Sequence, residues 1–280
     1  MPMKLFYITN KLEVALIAEK YGVDRIWVDL ETLGKAERQK HMDTVKSHHS
    51  IQDIRKISKL LSKAELMVRI NPWNETSADE IEKVIAAGAD RIMLPMWKSF
   101  EEADAFLKTV NGRVKTNLLL ETKEAVECLD EILEHPLLEE IHIGLNDLHL
   151  SYGLTFMFEL IPNGMVEALC KKIKAKGIPY GFGGIARIGE GLLPAERIIV
   201  EHHRVGSTMA NLSRSFCNTD KVEDLSEVEN VFAKNMQKIR DFEKTLTNIS
   251  DEEFEENSKE IRKCVKIIVA TIKERRECAD

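Results

Sequence analysis

Eight short apolar runs, each followed by a segment of different pattern, limit what this chain can fold into more than any other feature. They are LFYIT (5–9), RIWVDL (25–30), LMVRI (66–70), RIMLPM (91–96), TNLLLE (116–121), EIHIG (140–144), PYGFGG (179–184) and STMANL (207–212). Several are apolar nearly throughout rather than alternating, as strands covered on both faces must be. Strand and helix in regular succession argue for a parallel sheet over an antiparallel sandwich, and eight is the number of strands that closes one into a (β/α)8 barrel. A chain of 280 residues, 44% of them hydrophobic, has the length and apolar content for one such barrel with an appendage.

The intervening segments carry helix signals. Ile51, Ile54, Ile57, Leu60 and Leu61 recur on one helical face. Ser77 with Glu80, and Ser99 with Glu102, have capping-box spacing, and Gly88 stands where a C-cap belongs. Beyond residue 219 the pattern is helix alone. Val228, Phe232, Met236 and Ile239 lie at helical spacing, and Ile261, Val265, Ile268 and Ile272 do so again after the breaker NISDEE. The expected organisation is a barrel over 1–219 and a helical extension over 220–280. Its first helix would close the barrel; its second is surplus and must bury an apolar face, so a contact with another subunit, and a homo-oligomer, is expected.

Forty basic residues against 47 acidic leave a net charge of -7, with no dense Lys/Arg cluster, which argues against nucleic acid or an anionic membrane as partner. The N-terminus MPMKLFYITN lacks the apolar core of a signal peptide, and no apolar run reaches the roughly 18 residues of a membrane span. Five cysteines, widely spaced and without a CxxC pair, fit reduced thiols, and the expected location is the cytoplasm.

Function is concentrated in three segments: VRINPW (68–73), LLLET (118–122) and IGLNDLHLSYG (143–153). Each ends an apolar run on a charged residue, so an Arg, a Glu and an Asp from three strand ends can meet in one pocket, the layout of a metal-assisted site on a barrel. The long polar stretch 31–50 would cover the mouth, and it brings His41, His48 and His49; His149 follows Asp147 by two residues. PYGFGGIARIGEG (179–191) places five glycines and Arg187 around the seventh strand, where backbone amides of barrels often hold phosphate, though glycines there also serve tight packing. The GxGG within it lacks the helix start and acid of a dinucleotide fingerprint. Trp73 and Trp97 each follow a strand end and could line the pocket or pack on its rim.

VDLE at 28–31, VRINPWNE at 68–75, GADRIMLPM at 88–96, LLLETKEA at 118–125 and IGLNDLHLSYG at 143–153 together resemble the HpcH/HpaI aldolase and citrate lyase beta-subunit family, in order and spacing over roughly residues 5–215. The resemblance implies a TIM barrel that uses Mg²⁺ or a similar divalent ion on carbon–carbon bonds beside a carbonyl. It implies that Glu121 and Asp147 hold the metal, a pair of hard oxygen donors suited to Mg²⁺ or Mn²⁺. It implies that Arg69 holds the substrate carbonyl or enolate oxygen, although an ion pair with Asp29 or Glu31 would also brace the barrel. Asp29 and Glu31 match acidic positions that support the metal's surroundings. Trp73, Pro95, Gly144 and Asn146, in or beside these motifs, are the candidate substrate-binding residues.

The chain departs from the aldolase branch at Thr32, where that branch has a His. A metal-bound water or a loop histidine, His49 first and His41 next, would then serve as base. The expected activity is a metal-dependent aldol-type lyase acting on a 2-keto acid or hydroxy-keto acid, phosphorylated or sugar-derived, through a pyruvate-like enolate. A lyase for an acyl-CoA thioester is the alternative on the citrate lyase side, and Thr32 keeps open a barrel that binds metal and ligand without catalysis.

Overall fold

The apolar runs form β1 (Lys4–Ile8), β2 (Arg25–Asp29), β3 (Glu65–Arg69), β4 (Arg91–Leu94), β5 (Lys115–Leu120), β6 (Ile141–Ile143), β7 (Tyr180–Ile185) and β8 (Met209–Leu212). All are parallel, each pairs with the next, and β8 pairs with β1, so the sheet is a closed barrel. This is a computed structural model, and it describes residues 2–34, 49–219, 221–222 and 224–278.

Helices cover the strands: α1 (Leu12–Lys20), α2 (Ile51–Ser58), α3 (Ser77–Ala86), α4 (Phe100–Val110), α5 (Lys123–Glu127), α6 (Leu129–Ile132), α7 (Leu145–Ser151), α8 (Met165–Ala175) and α9 (Ala195–Val205). The expected capping boxes hold in part. Ser99 caps α4 by accepting from the Glu102 amide, but the Glu102 carboxylate accepts from Lys98. For α3 the N-cap is Thr76; the Ser77 hydroxyl accepts from the Asn74 amide and Glu80 turns to Asn71. Gly88 follows α3 at φ +99, the left-handed conformation that closes a helix without a Cβ penalty.

Two apolar clusters build the core. The larger lies between strands and helices; the smaller, Phe6, Trp27, Met67, Met93, Leu119 and Met209, fills the barrel. One residue sits on each of six strands, and the residues two positions away along a strand point the same way. On the N-terminal side these include Arg25, Glu65, Arg91 and Asn117, and Glu140 joins them from just before β6. Arg25 binds both oxygens of Glu140 at 2.5 and 2.7 Å and Glu65 at 2.5 Å, and Asn117 adds a bond to Glu140 at 2.6 Å. A buried cation survives only when so paired, and this network plugs the barrel's floor. On the C-terminal side the same alternation delivers Asp29, Arg69 and Glu121 to the mouth.

After β8 come α10 (Leu225–Thr245) and α11 (Asp251–Glu277). Helix α10 packs on α1, burying Val228, Phe232, Met236 and Ile239. It is tied to the residue just before β1, where Glu243 accepts from the Met3 amide at 2.7 Å. Helix α11 opens with a Ser250–Glu253 capping box and packs on α9 through Asn257, Ile261 and Val265, leaving Ile267 59% exposed. Among the described residues no helix is long and apolar enough to cross a membrane.

Candidate active site

Asp29 ends β2 and Arg69 ends β3, and the parallel register sets them side by side. The Arg69 fork donates from Nε to Asp29 Oδ1 at 2.9 Å and from a terminal nitrogen to Oδ2 at 2.8 Å, with Glu31 at 3.3 Å. Its guanidinium lies 5.0 Å above the Trp27 ring, so the planar group is fixed on three sides. Burial works against the cation, but the charges of Asp29 and Glu31 more than offset it and raise the Arg69 pKa. The ion pair that would brace the barrel is therefore present, and the same arginine faces the cavity.

Glu121 stands one residue past β5. The cap of the following helix is Thr122, whose hydroxyl accepts from the Ala125 amide and donates to the Trp97 carbonyl. The Glu121 carboxylate is thus not consumed as a cap. It accepts from the Met96 amide at 3.1 Å, and Met96 adopts a left-handed φ of +53, an unfavourable conformation for a side chain of that size. Gly144, between β6 and α7, leaves space for it: a Cβ there would lie 2.7 Å from Glu121 Oε2 and 2.9 Å from Glu121 Cβ. Asp147 lies in the first turn of α7.

Burial first, and then the charge of Asp147, raise the Glu121 pKa well above the ordinary carboxylate range; Arg69 only partly counters them. Asp29, Glu31 and Glu121 thus act on one guanidinium, and Asp147 adds a fourth carboxylate that acts on Glu121. The surplus negative charge and the all-oxygen donors fit a hard divalent cation. Among the described residues no three of His, Cys, Asp and Glu gather closely enough to form a metal site alone. Two carboxylates with the remaining positions open to water or substrate match the way Mg²⁺ is held.

His49 immediately precedes the Ser50 cap of α2, and its Nδ1 accepts from the Asp29 amide at 2.9 Å. His41 lies outside the described residues. His149 is buried with its Nδ1 3.2 Å from the Leu145 carbonyl and does not line the cavity. The Thr32 amide and hydroxyl both donate to Asn71 Oδ1, at 2.9 and 3.3 Å, and Asn71 is held in turn by Glu80. Thr32 therefore ties the β2 rim to the β3 rim.

These residues surround a cavity of about 330 Å³ at the barrel mouth, lined by Asp29, His49, Arg69, Glu121, Gly144, Asn146 and Asp147 among others. Trp73 is half-buried against the outer core and Pro95 is buried; neither lines the cavity. Trp97 is fully buried. Sequence reading missed Trp27, His142 and Asn211, which form the floor, and Lys11 and Arg214 on the rim. Two-residue alternation from Asp29 to Trp27, or from Gly144 to His142, was the available signal. His142 hydrogen-bonds Asn211, and burial pushes its pKa down to about 4, so it is neutral at physiological pH.

Gly144→Ala is expected to displace Glu121 and weaken Mn²⁺ binding about tenfold or more, with a stability cost of about 1–3 kcal/mol for the overpacking. Titration calorimetry and thermal melts check both; metal affinity equal to wild type would show that the carboxylate position is irrelevant to binding.

The fold is shared with solved structures of low identity. An HpcH/HpaI aldolase from Desulfitobacterium hafniense DCB-2 aligns with a TM-score of 0.58 at 15% identity, over 89% of this chain and 95% of that one. A citrate lyase from Burkholderia xenovorans LB400 aligns at 0.58 and 13%, over 97% and 92%. A tryptophan synthase α-subunit variant from Pyrococcus furiosus aligns at 0.60 and 14%, over 85% and 100%, so likeness at this level speaks for the barrel alone. A comparison with curated protein sequences gave no match. The HpcH/HpaI aldolase/citrate lyase family model matches residues 3–171, more than half of the chain, and the protein belongs to that family.

Proposed function

We propose that this protein is a divalent-metal-dependent carbon–carbon lyase of the aldol type, breaking or forming the bond of a 2-keto acid through a pyruvate-like enolate. The observation that carries the reading is one cavity in which the half-buried Asp147 lies close enough to the buried Glu121 to act on its charge, with Arg69 only partly countering it, while Arg69 is held ready by Asp29. Glu121 and Asp147 would hold Mg²⁺ or Mn²⁺, with Asp29 and Glu31 supporting. Such an ion supplies Lewis-acid polarisation of the substrate carbonyl. Arg69 directs its N–H groups at the oxygen where enolate charge develops, and its fixed plane needs no reorganisation as that charge appears. Gly144 and Asn146 line the space beside the carboxylates. At about 330 Å³ the cavity is near the lower end of small-molecule sites, which supports a compact acid over a thioester carried on CoA.

His49 acts as a hydrogen-bond donor in this reading. Because Nδ1 accepts the Asp29 amide, the neutral ring carries its proton on Nε2. His49→Gln, which keeps an N–H donor at a similar reach, is expected to retain activity within about threefold, whereas His49→Leu falls about 10- to 100-fold, the scale of a lost bond to a charged group. Equal losses in the two variants, with a neutral-pH limb in the wild-type rate profile that both abolish, would show that His49 itself moves the proton.

The test of the reaction is methyl-proton exchange of pyruvate in D₂O, followed by NMR with Mg²⁺, with Mn²⁺ and with EDTA. Metal-dependent exchange is expected. Confirmed metal binding without exchange would overturn the pyruvate enolate.

For the assembly we propose a homo-oligomer joined through the uncovered face of α11, beyond the barrel unit of residues 1–219. Ile267→Glu is expected to lower the sedimenting mass; an unchanged mass in sedimentation velocity would reject that face.

A further inference from the structure

We propose that Asn71 is a positioning residue for the reaction: it clamps the turn after β2 so that Glu31 is held at Arg69, and its side chain must be an amide to do so. The proposal rests on the reading of Arg69 as the group that meets the enolate oxygen; the clamp itself is built from contacts that involve neither metal nor substrate.

The two ends of the Asn71 side chain meet opposite kinds of partner. Its Oδ1 accepts from the Thr32 amide at 2.9 Å, from the Leu33 amide at 3.1 Å and from the Thr32 hydroxyl at 3.3 Å. Its Nδ2 donates to Glu80 Oε1 at 2.9 Å, and its backbone amide donates to the same carboxylate at 3.3 and 3.4 Å. Donors on one side and an acceptor on the other leave one orientation for the amide, because a flip would set N–H against N–H and oxygen against carboxylate. Burial raises the Glu80 pKa and the Asn71 bonds oppose the rise, so this carboxylate gains from the donor it meets.

The clamp bears on the site through Glu31, the residue before Thr32. The Glu31 amide donates to Asp29 Oδ1 at 3.2 Å, and its carboxylate lies 3.3 Å from the Arg69 terminal nitrogen that also holds Asp29 Oδ2. Thr32 and Leu33 are exposed, so apolar burial does little to fix this turn, and the bonds to Asn71 supply the hold. The line therefore runs from α3 through Glu80 and Asn71 to the turn after β2, and from there to the guanidinium. From the other end of the same connection, His49 accepts the Asp29 amide at 2.9 Å. The Thr32 hydroxyl makes the longest of the three bonds to Oδ1, so the residue that stands where the aldolase branch has a His acts here mainly through its amide.

The experiment sets Asn71→Asp, Glu80→Gln and the double variant beside wild type, all as the full chain. Aspartate keeps the oxygen that Thr32 and Leu33 need but turns a carboxylate on Glu80; glutamine at position 80 puts a donor back opposite it. Glu80→Gln alone keeps an oxygen for the Asn71 N–H groups and should lose about threefold or less in pyruvate methyl exchange with Mn²⁺. Asn71→Asp is expected to lose about 10- to 100-fold, in kcat rather than KM and with Mn²⁺ affinity nearly unchanged, and the double variant to regain most of it. Selective ¹⁵N-arginine labelling gives a reading that needs no turnover: the Arg69 Nε–H signal, identified by its loss in Arg69→Lys, should shift or broaden in Asn71→Asp and return in the double variant. Wild-type exchange in folded Asn71→Asp, or a folded double variant that does not recover the signal, would overturn the clamp. If wild type itself exchanges no pyruvate, the enolate reading falls and the Arg69 signal decides: moved by Asn71→Asp and restored in the double variant, it sustains the clamp; unmoved, it removes it. Should Asn71→Asp not fold, Asn71→Ala, which adds no charge, takes its place, with the same loss expected and wild-type rate and signal overturning the proposal.

Discussion

Glu121→Gln is expected to make the metal-free protein more stable while removing its metal binding. In the absence of a cation, an ionised Glu121 is buried against the charge of Asp147 and only partly compensated by Arg69, so its folded pKa lies well above the ordinary carboxylate value. The sign of the pH dependence follows. Stability contributed by the protonated form is complete below the unfolded value of about 4.3, and it is lost as pH rises through the elevated folded value. Wild type in EDTA should therefore lose stability from mildly acidic to neutral pH on this account, and the glutamine variant should lose less. A gain on the order of 1 kcal/mol at neutral pH, or about 2–4 °C in Tm, is the expected size. Metal reverses the comparison, because it binds the deprotonated carboxylate and stabilises only the protein that can hold it. In the variant the affinity for Mn²⁺ should fall about a hundredfold or more, and pyruvate exchange with it. Thermal melts across pH with and without Mn²⁺ give every term. A variant less stable than wild type in EDTA, or one that binds Mn²⁺ unchanged, would refute the assignment of Glu121.

Arg69→Lys and Arg69→Leu should separate the two duties of Arg69. The bidentate bond to Asp29 and the 3.3 Å contact with Glu31 mean that this cation balances two buried carboxylates as well as facing the cavity. Lysine keeps the charge and loses the fork, so melting should move little while exchange falls about 10²–10³-fold, the usual loss when one fixed donor to a developing oxyanion is removed. Leucine leaves Asp29 and Glu31 without their cation, at a cost of about 3–5 kcal/mol. Exchange rates and melts on both variants measure the split. If the lysine variant keeps full exchange, Arg69 is a brace and not a participant in catalysis; if it unfolds, the fork matters first to the barrel.

Much of this site was legible before the fold. VRINPW and LLLET place Arg69 and Glu121 at or just past a strand end, and IGLNDL carries Asp147 in the helix turn that follows β6; all three reach the mouth because a parallel barrel delivers its strand ends to one face. Other features depended on neighbours that no local pattern names. The pairing of Ser77 with Glu80 has the right spacing for a capping box, yet Glu80 turns to Asn71, and Asn71 holds Thr32. Trp73 and Pro95 follow strand ends as the lining residues do, but neither lines the cavity, and Trp73 packs against the outer core. His49 reaches the Asp29 amide from twenty residues further along the chain.

The sequence alone determined the strand and helix order, the closed parallel barrel and the charged strand ends Arg69 and Glu121. Those depend on period, burial and caps, which act over a few residues. Only the tertiary structure decided that Asp29 and Arg69 share a register and that Thr122, not Glu121, caps its helix. It also brought Lys11 and Arg214 to one cavity, because β8 closes on β1. The register and the barrel closure join segments distant in the chain, and even the local cap is decided by which donors remain to satisfy each buried charge.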